Sequence, residues 1–156
     1  MSEKIRVHLG TDHAGFSAKE NLAEYLRAKG VTVVDHGAKD FDPEDDYPGF
    51  CIAAAEAVRN EREAGQNAVG VVLGGSGNGE QIAANKVSGI RAALSWNPEI
   101  SRLARAHNNA HVVAVGARQH SQEDLNAIVA AFIDEPFSAE TRHQRRIDAI
   151  SDYEKR

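Results

Sequence analysis

Cysteine, methionine and tryptophan each occur once in the 156 residues, and aromatic side chains make up only 6% of them. A lone Cys51 cannot close an internal disulfide and cannot anchor a zinc site by itself, a pattern that fits a reducing cytoplasm. The seven histidines are scattered without zinc-ligand spacing. No apolar run is long enough to span a membrane, and the N-terminus carries no signal-peptide pattern. A basic excess is also missing: 18 Lys and Arg against 23 Asp and Glu leave a net charge of −5, which argues against a general nucleic-acid binder. Internal repeats, low-complexity tracts and interdomain linkers are absent. What is present, 42% apolar and 26% charged residues, is the composition of one ordinary globular domain over residues 1–156, long enough to bury a real core.

Hydrophobic patterning alternates between short apolar runs and helical periods. Strands are expected at Ile5–Leu9, Val31–Asp35, Val69–Leu73, Arg91–Ser95 and Val112–Val115. Helices are expected from Phe16 to Lys29, from about Gly49 to Glu63, from Gln81 to Lys86, after the Asn97-Pro98-Glu99 start, after Ser121 and Asp124, and from Ser138 to about Tyr153. Five strands alternating with helices predict a three-layer α/β fold, a Rossmann-like, doubly wound parallel sheet, with strand order 2-1-3-4-5 as the expected topology. Ligands in such folds bind beyond the carboxyl ends of the strands, at the switch point between strands 1 and 3. Those two ends carry the Asp12-His13 turn and a glycine loop. The last helix has a thin apolar stripe, Ile147, Ile150 and Tyr153, which suggests docking on a second subunit.

The glycine loop, Gly74-Gly75-Ser76-Gly77-Asn78-Gly79-Glu80, carries the chemistry. It lacks the Gly-Lys-Ser/Thr ending of a P-loop and is not a dinucleotide fingerprint, so Asp35 at the end of strand 2 reads as a surface or loop acid. Glycines let the backbone approach a ligand with its N–H groups pointing inward, which suits an anion or a developing oxyanion. Glu80 has two readings, a first-turn acid complementing the helix dipole or a general base beside that oxyanion loop. Asp12 and His13 form either an Asx-type turn or part of the site. Asn108 or Asn109 can end a helix in a left-handed conformation, and His107 is open between solvent and function. Arg142 and Arg146, four apart, share a helix face and could grip one phosphate, or lie with Arg145 on a solvated surface. Arg118, after strand 5, is a further phosphate candidate, and Cys51 reads as a small core residue.

Together these pieces resemble the type B ribose-5-phosphate isomerases, of a sugar-phosphate isomerase family that includes galactose-6-phosphate isomerase subunits. The resemblance runs from Val7 to about Tyr153. It is carried by Gly10-Thr11-Asp12-His13-Ala14-Gly15, Asp46-Tyr47-Pro48, Gly75-Ser76-Gly77-Asn78-Gly79 leading to Ile82-Ala83-Ala84-Asn85-Lys86, His107-Asn108-Asn109, and Arg142-His143-Gln144-Arg145-Arg146. It implies aldose–ketose isomerisation of ribose 5-phosphate and ribulose 5-phosphate, in the pentose phosphate pathway, without cofactor or metal. By the same resemblance Asp12 and His107, with Tyr47 nearby, open the furanose ring. The N–H groups of Gly75, Ser76, Gly77, Asn78 and Gly79, with the Ser76 side chain, hold the enediolate oxygen. His13, Arg118, Arg142 and Arg146 bind the phosphate, and Asn108 contacts sugar hydroxyls. The implied assembly is a cytoplasmic homodimer, with tetramers left open, whose sites take His107 and the C-terminal arginines from the partner.

Many members of that family keep a cysteine base where this chain has Gly74. The branch without it carries a glutamate where Glu80 stands, so the resemblance and the residue chemistry select the same base. Two other functions remain open at this point. One is isomerisation of another sugar phosphate, such as a four-carbon erythrulose phosphate or a six-carbon sugar phosphate. The other is a non-catalytic sugar-phosphate-binding module, which would gain nothing from a carboxylate at its anion loop.

Overall fold

The structure, a computed structural model, describes residues 4–156. Among them are five strands: β1 (Arg6–Thr11), β2 (Thr32–Asp35), β3 (Ala68–Gly74), β4 (Ala92–Leu94) and β5 (Val112–Gly116). Six α-helices alternate with them: α1 (Phe16–Ala28), α2 (Tyr47–Glu63), α3 (Asn78–Ala84), α4 (Pro98–Asn108), α5 (Gln122–Asp134) and α6 (Thr141–Glu154). A short 3-10 turn, His13–Gly15, leads from β1 into α1.

The strands form one parallel sheet in the order β2-β1-β3-β5-β4. The expected order 2-1-3-4-5 is therefore wrong in its last two members. Every residue of β5 is buried, whereas β4 has three residues and is half-buried at Ala93 and Leu94. Interior places in a parallel sheet are covered on both faces, so the more completely buried strand lies inside and the short one takes the edge. The neighbours that matter for the site, β1 and β3, pair as expected.

Alternation along the strands divides the core between two helical layers. Val7, Leu9, Val69, Val71, Val113 and Val115 face α1 and α5, where Leu22, Leu26, Ile128 and Phe132 cover them. Val72, Val112 and Ala114 face α2 and α3, which present small side chains, Cys51, Ala54, Ala55 and Ala84. Small residues allow a close approach. At Gly10 a side chain would come within 2.5 Å of the Phe50 carbonyl oxygen of α2. Cys51 is fully buried, as its core reading requires.

Capping fixes the helix starts. Asn97 accepts a hydrogen bond from Ile100 N–H (2.9 Å) ahead of Pro98, and Ser121 accepts one from Asp124 N–H (3.1 Å). Asn109 ends α4 in the left-handed region at φ 44°. The helix holding Glu80 begins at Asn78, earlier than expected, with Gly77 at φ 88° before it. The last helix begins at Thr141 rather than Ser138 and rests on α4. It buries His143 and Ile147 but leaves Ile150 and Tyr153 exposed.

Asp35 is not the plain surface acid that the pattern suggested. Its Oδ2 accepts a hydrogen bond at 2.6 Å from Nζ of Lys19, a lysine with no exposed surface, while its Oδ1 caps the Gly37 N–H at 2.8 Å. Lys19 also donates to the Ala38 carbonyl (2.6 Å). The segment after β2 is thereby pinned to α1, and it hydrogen-bonds in turn with both backbone groups of Thr11. A buried ammonium that loses its closer carboxylate, keeping only the exposed Glu20 at 3.1 Å, costs more than a pair removed as a unit. Asp35→Ala is therefore expected to lower unfolding stability by about 3 kcal/mol, and by more than Lys19→Met does. Urea denaturation of both variants checks the order.

Candidate active site

The site is assembled where β1 and β3 end side by side. Thr11 pairs with Leu73 across the ladder, and its hydroxyl donates to the Leu73 carbonyl at 2.8 Å. A side chain at Gly15 would collide with that hydroxyl and with Leu73, so the turn after β1 can close tightly only on glycine. Next after that last pair come Asp12, just past β1, and Gly74, the final residue of β3. Asp12 is buried, and its Oδ1 accepts from Ala14 N–H (2.9 Å). It is thus an Asx-type turn residue at the edge of the candidate site.

Gly74 and Glu80 explain one another. Any side chain at position 74 would fall on the Glu80 carboxylate. The acid, on the first turn of α3, folds back over the end of β3 into the space a residue there would fill. Only 4% of Glu80 is exposed. Burial raises its pKa above the ordinary carboxylate value, its own backbone N–H opposes that rise, and the Asp12 charge adds to it. Cys51 lies close enough for Glu80 and Asp12 to push its thiol pKa up further, on top of a dominant burial effect, which leaves it a poor nucleophile.

The loop between them is held from β5. Gly74 O accepts from Ala117 N–H (2.7 Å) and Gly75 O from Arg118 N–H (3.3 Å). A side chain at Gly116 would come within 2.6 Å of Ser76 O. The Ser76 hydroxyl accepts from Asn78 N–H at 3.2 Å, so this amide is shared with the loop itself. The N–H groups of Gly75, Ser76 and Gly77 have no acceptor among the described residues. Tyr47, at the start of α2, lays its hydroxyl against Gly79, where no side chain would fit. A buried carboxylate beside unpaired amides is an arrangement for moving a proton while an oxyanion is held.

Beside this loop lies a cationic corner. His13 points to Asp45, which accepts from both the His13 backbone N–H and Nδ1, each at 2.8 Å. The exposed Arg118 side chain stands next to Gly75. The His13 pKa is raised, first by the Asp45 hydrogen bond, with Asp12 adding and burial and Arg118 opposing. Donor atoms of Asp12, His13 and Asp45 lie within 4.8 Å of one another, and the Nδ1–Asp45 hydrogen bond by itself accounts for the closeness of two of the three. Asp45 was not singled out from sequence. The only signal for it was its place in the acidic loop before Tyr47.

His107, Asn108, Arg142 and Arg146 are not brought to Glu80 in the same chain. Helix α4 leaves the carboxyl edge of the sheet and returns the chain to the start of β5. Its 11 residues carry His107 and Asn108 about 16 Å down that axis. There His107 stacks on the buried His143, with ring centroids 4.1 Å apart at 14°. Arg142 Nε contacts His143 Nε2 at 3.3 Å, and its guanidinium pairs with Glu140 at 3.2 Å. Burial, then His107, lowers the His143 pKa. Arg142, Arg145 and Arg146 are all exposed.

A family model described as Ribose/Galactose Isomerase matches residues 7–150. Ribose-5-phosphate isomerase B of Mycolicibacterium paratuberculosis is 50% identical over 151 residues, covering 97% of this chain and 92% of that protein. The Escherichia coli protein of the same name is 35% identical, covering 97% of each. Among solved structures, ribose-5-phosphate isomerase B from Mycoplasma genitalium with bound ribulose-5-phosphate superposes with a TM-score of 0.90 at 36% identity, covering 99% of both chains. The type B ribose 5-phosphate isomerase of Trypanosoma cruzi gives 0.90 at 39% identity, covering 97% of both.

If the empty position at Gly74 is what holds Glu80 in its buried place, Gly74→Ala should expel the carboxylate to solvent. Its pKa should then fall back toward the ordinary carboxylate value, while the fold loses about 1–3 kcal/mol. Carboxyl NMR titration of Glu80 reads this directly. A Glu80 that keeps its raised pKa in the variant would show that position 74 does not decide its placement.

Proposed function

The chain belongs to the ribose/galactose isomerase family, and we propose on that premise that it interconverts ribose 5-phosphate and ribulose 5-phosphate through an enediolate, with Glu80 as the base. The observation that carries this reading is the Glu80 carboxylate, buried in the space left by Gly74 at the root of a loop whose Gly75, Ser76 and Gly77 N–H groups have no acceptor among the described residues. After ring opening, Glu80 takes the proton from C2 of the aldose and returns it to C1, while the hydroxyl proton passes from O2 to O1 so that the carbonyl ends on C2. One carboxylate on one face serves both carbons because they are adjacent. As the proton leaves, negative charge grows on the oxygens, and the loop amides stabilise it. Preorganised donors of this kind contribute about 3 kcal/mol each. Burial suits the base to this work, since a carboxylate stripped of water binds a proton more strongly.

His13 and Arg118 form the half of the phosphate site that lies on the same chain, and Asp12 with Tyr47 the half of the ring-opening site. The complementary groups, His107, Asn108, Arg142 and Arg146, stand at the opposite end of the sheet. A homodimer related by a two-fold axis brings one protomer's amino-edge cluster to the other's carboxyl edge, completing two sites at once. A groove of about 710 Å³ beside edge strand β4, with Leu94, Trp96, Ile150 and Tyr153 in its lining, supplies an apolar surface for that contact. Trp96, Ile150 and Tyr153 are all more than half exposed in the single chain. No helix among the described residues is long and apolar enough to cross a membrane, and the buried, unpaired Cys51 is at home in a reducing cytoplasm.

Glu80→Gln keeps the shape and removes the base. Turnover of ribose 5-phosphate in a coupled assay is expected to fall roughly 100- to 10,000-fold with little change in substrate binding; near-normal turnover would sink the assignment. The wild-type rate should rise with pH through the raised Glu80 pKa, so its acid limb lies above the ordinary carboxylate range. The same assay with four- and six-carbon sugar phosphates tests the choice of substrate. Mixing Glu80→Gln protomers with Arg142→Ala protomers tests the shared site. Each mixed dimer contains one doubly defective and one intact site, so activity should return to about half per mixed dimer. No recovery on subunit exchange would place Arg142 outside the partner's site.

A further inference from the structure

We infer that Asp45 is a positioning residue that aims the His13 imidazolium at the phosphate of the substrate. The inference rests on the reading of His13 and Arg118 as phosphate ligands. The geometry is specific. One carboxylate oxygen, Asp45 Oδ1, accepts two hydrogen bonds from the same residue, at 2.8 Å from the His13 backbone N–H and 2.8 Å from Nδ1. Those two contacts fix both the backbone turn and the ring torsion. They assign the proton on Nδ1 and leave Nε2 on the far side of the ring, where no hydrogen-bond partner occupies it among the described residues. A second-sphere carboxylate holding one nitrogen of a histidine while the other does the work is a recurring device.

The surroundings of the pair set its charge state. The Asp45 side chain is 10% exposed and that of His13 27%, so the carboxylate is sheltered while the ring reaches the surface. Three charged groups face the ring: Asp12 at the end of β1, Asp45 in the loop before α2, and Arg118 after β5. The two acids favour the imidazolium; Arg118 and partial burial oppose it. Asp45 also has the largest influence of the three. Without it, an imidazole beside an arginine would lose its proton more readily, and half of the cationic grip would go with it. Because the folded-state pKa is raised, the cation persists below that pKa and is lost as pH rises through it. Asp45 therefore extends phosphate binding toward neutral and alkaline pH.

Asp45 has a second consequence through the chain. It lies two residues before Tyr47, which starts α2 and rests against Gly79. The same pair of hydrogen bonds that aims His13 ties the acidic loop to the turn after β1. Phosphate grip and the placement of Tyr47 are thus mechanically linked, although only the first depends on charge.

Asp45→Asn separates aim from charge, because its amide oxygen still accepts both N–H groups while the negative charge is gone. The His13 ring pKa, read by imidazole NMR, should fall in this variant. KM for ribose 5-phosphate and the inhibition constant of inorganic phosphate should rise together, by about tenfold near pH 7.5 for each unit that the His13 pKa drops. Both should approach wild-type values near about pH 5.5, where His13 is protonated in either protein, with kcat changed by less than about twofold. Asp45→Ala, which loses the aim as well, should bind phosphate poorly even at the lower pH. His13→Ala serves as the reference for the underlying reading. If His13→Ala weakens phosphate binding but Asp45→Asn leaves the KM and its pH profile unchanged, the role of Asp45 is overturned while His13 stands. If His13→Ala itself leaves both constants unchanged, the phosphate reading falls, and the inference with it.

Discussion

The pairing of β1 with β3, and within it the hydrogen bond from the Thr11 hydroxyl to the Leu73 carbonyl, is the constraint from which the carboxyl edge follows. With the two strands in register up to Thr11 and Leu73, the next residue on each is Asp12, where β1 has ended, and Gly74, the last residue of β3. Glu80 then folds back near Asp12 instead of pointing to water. The close packing of α2 on Gly10 and of the His13–Gly15 turn on Thr11 keeps those strand ends from drifting apart. Lys19 supports the same point from outside the sheet. By holding Asp35 and the Ala38 carbonyl, it fixes the segment that bonds both backbone groups of Thr11. A buried lysine is expensive in an apolar interior, and here its partners are a carboxylate and a carbonyl of the segment that brackets the end of β1.

Two electrostatic regimes stand next to each other on this edge. Glu80 and Asp12 are both nearly excluded from solvent, and they make ionisation of neighbouring acidic groups harder, as the raised thiol pKa of Cys51 also registers. His13 and Arg118 sit further out, where water still reaches them. The separation matters for an enediolate reaction. A base must be hungry for a proton, which burial provides, while a phosphate grip must hold a permanent charge, which burial would penalise on both partners. Asp45 supplies the local compensation that lets His13 remain cationic without being drawn into the buried region.

The sequence was most legible where local rules act. Strand and helix existence, the Asn97 and Ser121 caps, the left-handed Asn109 and the adjacency of the Asp12 turn to the glycine loop all follow from patterning and turn chemistry. The order of β4 and β5 was not legible, because it depends on which strand is covered on both faces once the helices are packed. Asp35 misread for a similar reason: its partner Lys19 is 16 residues away, and a lysine in a helical period looks like a solvent-facing residue. Asp45 was hidden in a run of acids, none distinguishable until the turn after β1 is folded against them. Gly74 was noticed as the place of a missing cysteine. That the vacancy is filled by Glu80 itself is a statement about three-dimensional space that no spacing rule contains.

The distance between the two clusters is itself informative. Helix α4 begins at the carboxyl edge and delivers His107 and Asn108 to the other end of the sheet, and α6 packs on α4, so Arg142 and Arg146 stay with them. Bending one chain to close that gap would mean breaking the packing of α4 on α5 and the strand order together. A two-fold pairing needs neither, because it moves whole protomers and leaves each core intact. The stacking of His107 on His143 then has a purpose within one protomer: a ring offered to another chain must be rigid before that chain arrives. In the proposed dimer its stacking against the buried His143 would provide this, while the neighbouring arginines stay exposed, Arg142 paired meanwhile with Glu140. In the proposed dimer the base and the enediolate loop are built by one core and the remaining cations by another, so complete sites exist only where two folded chains meet.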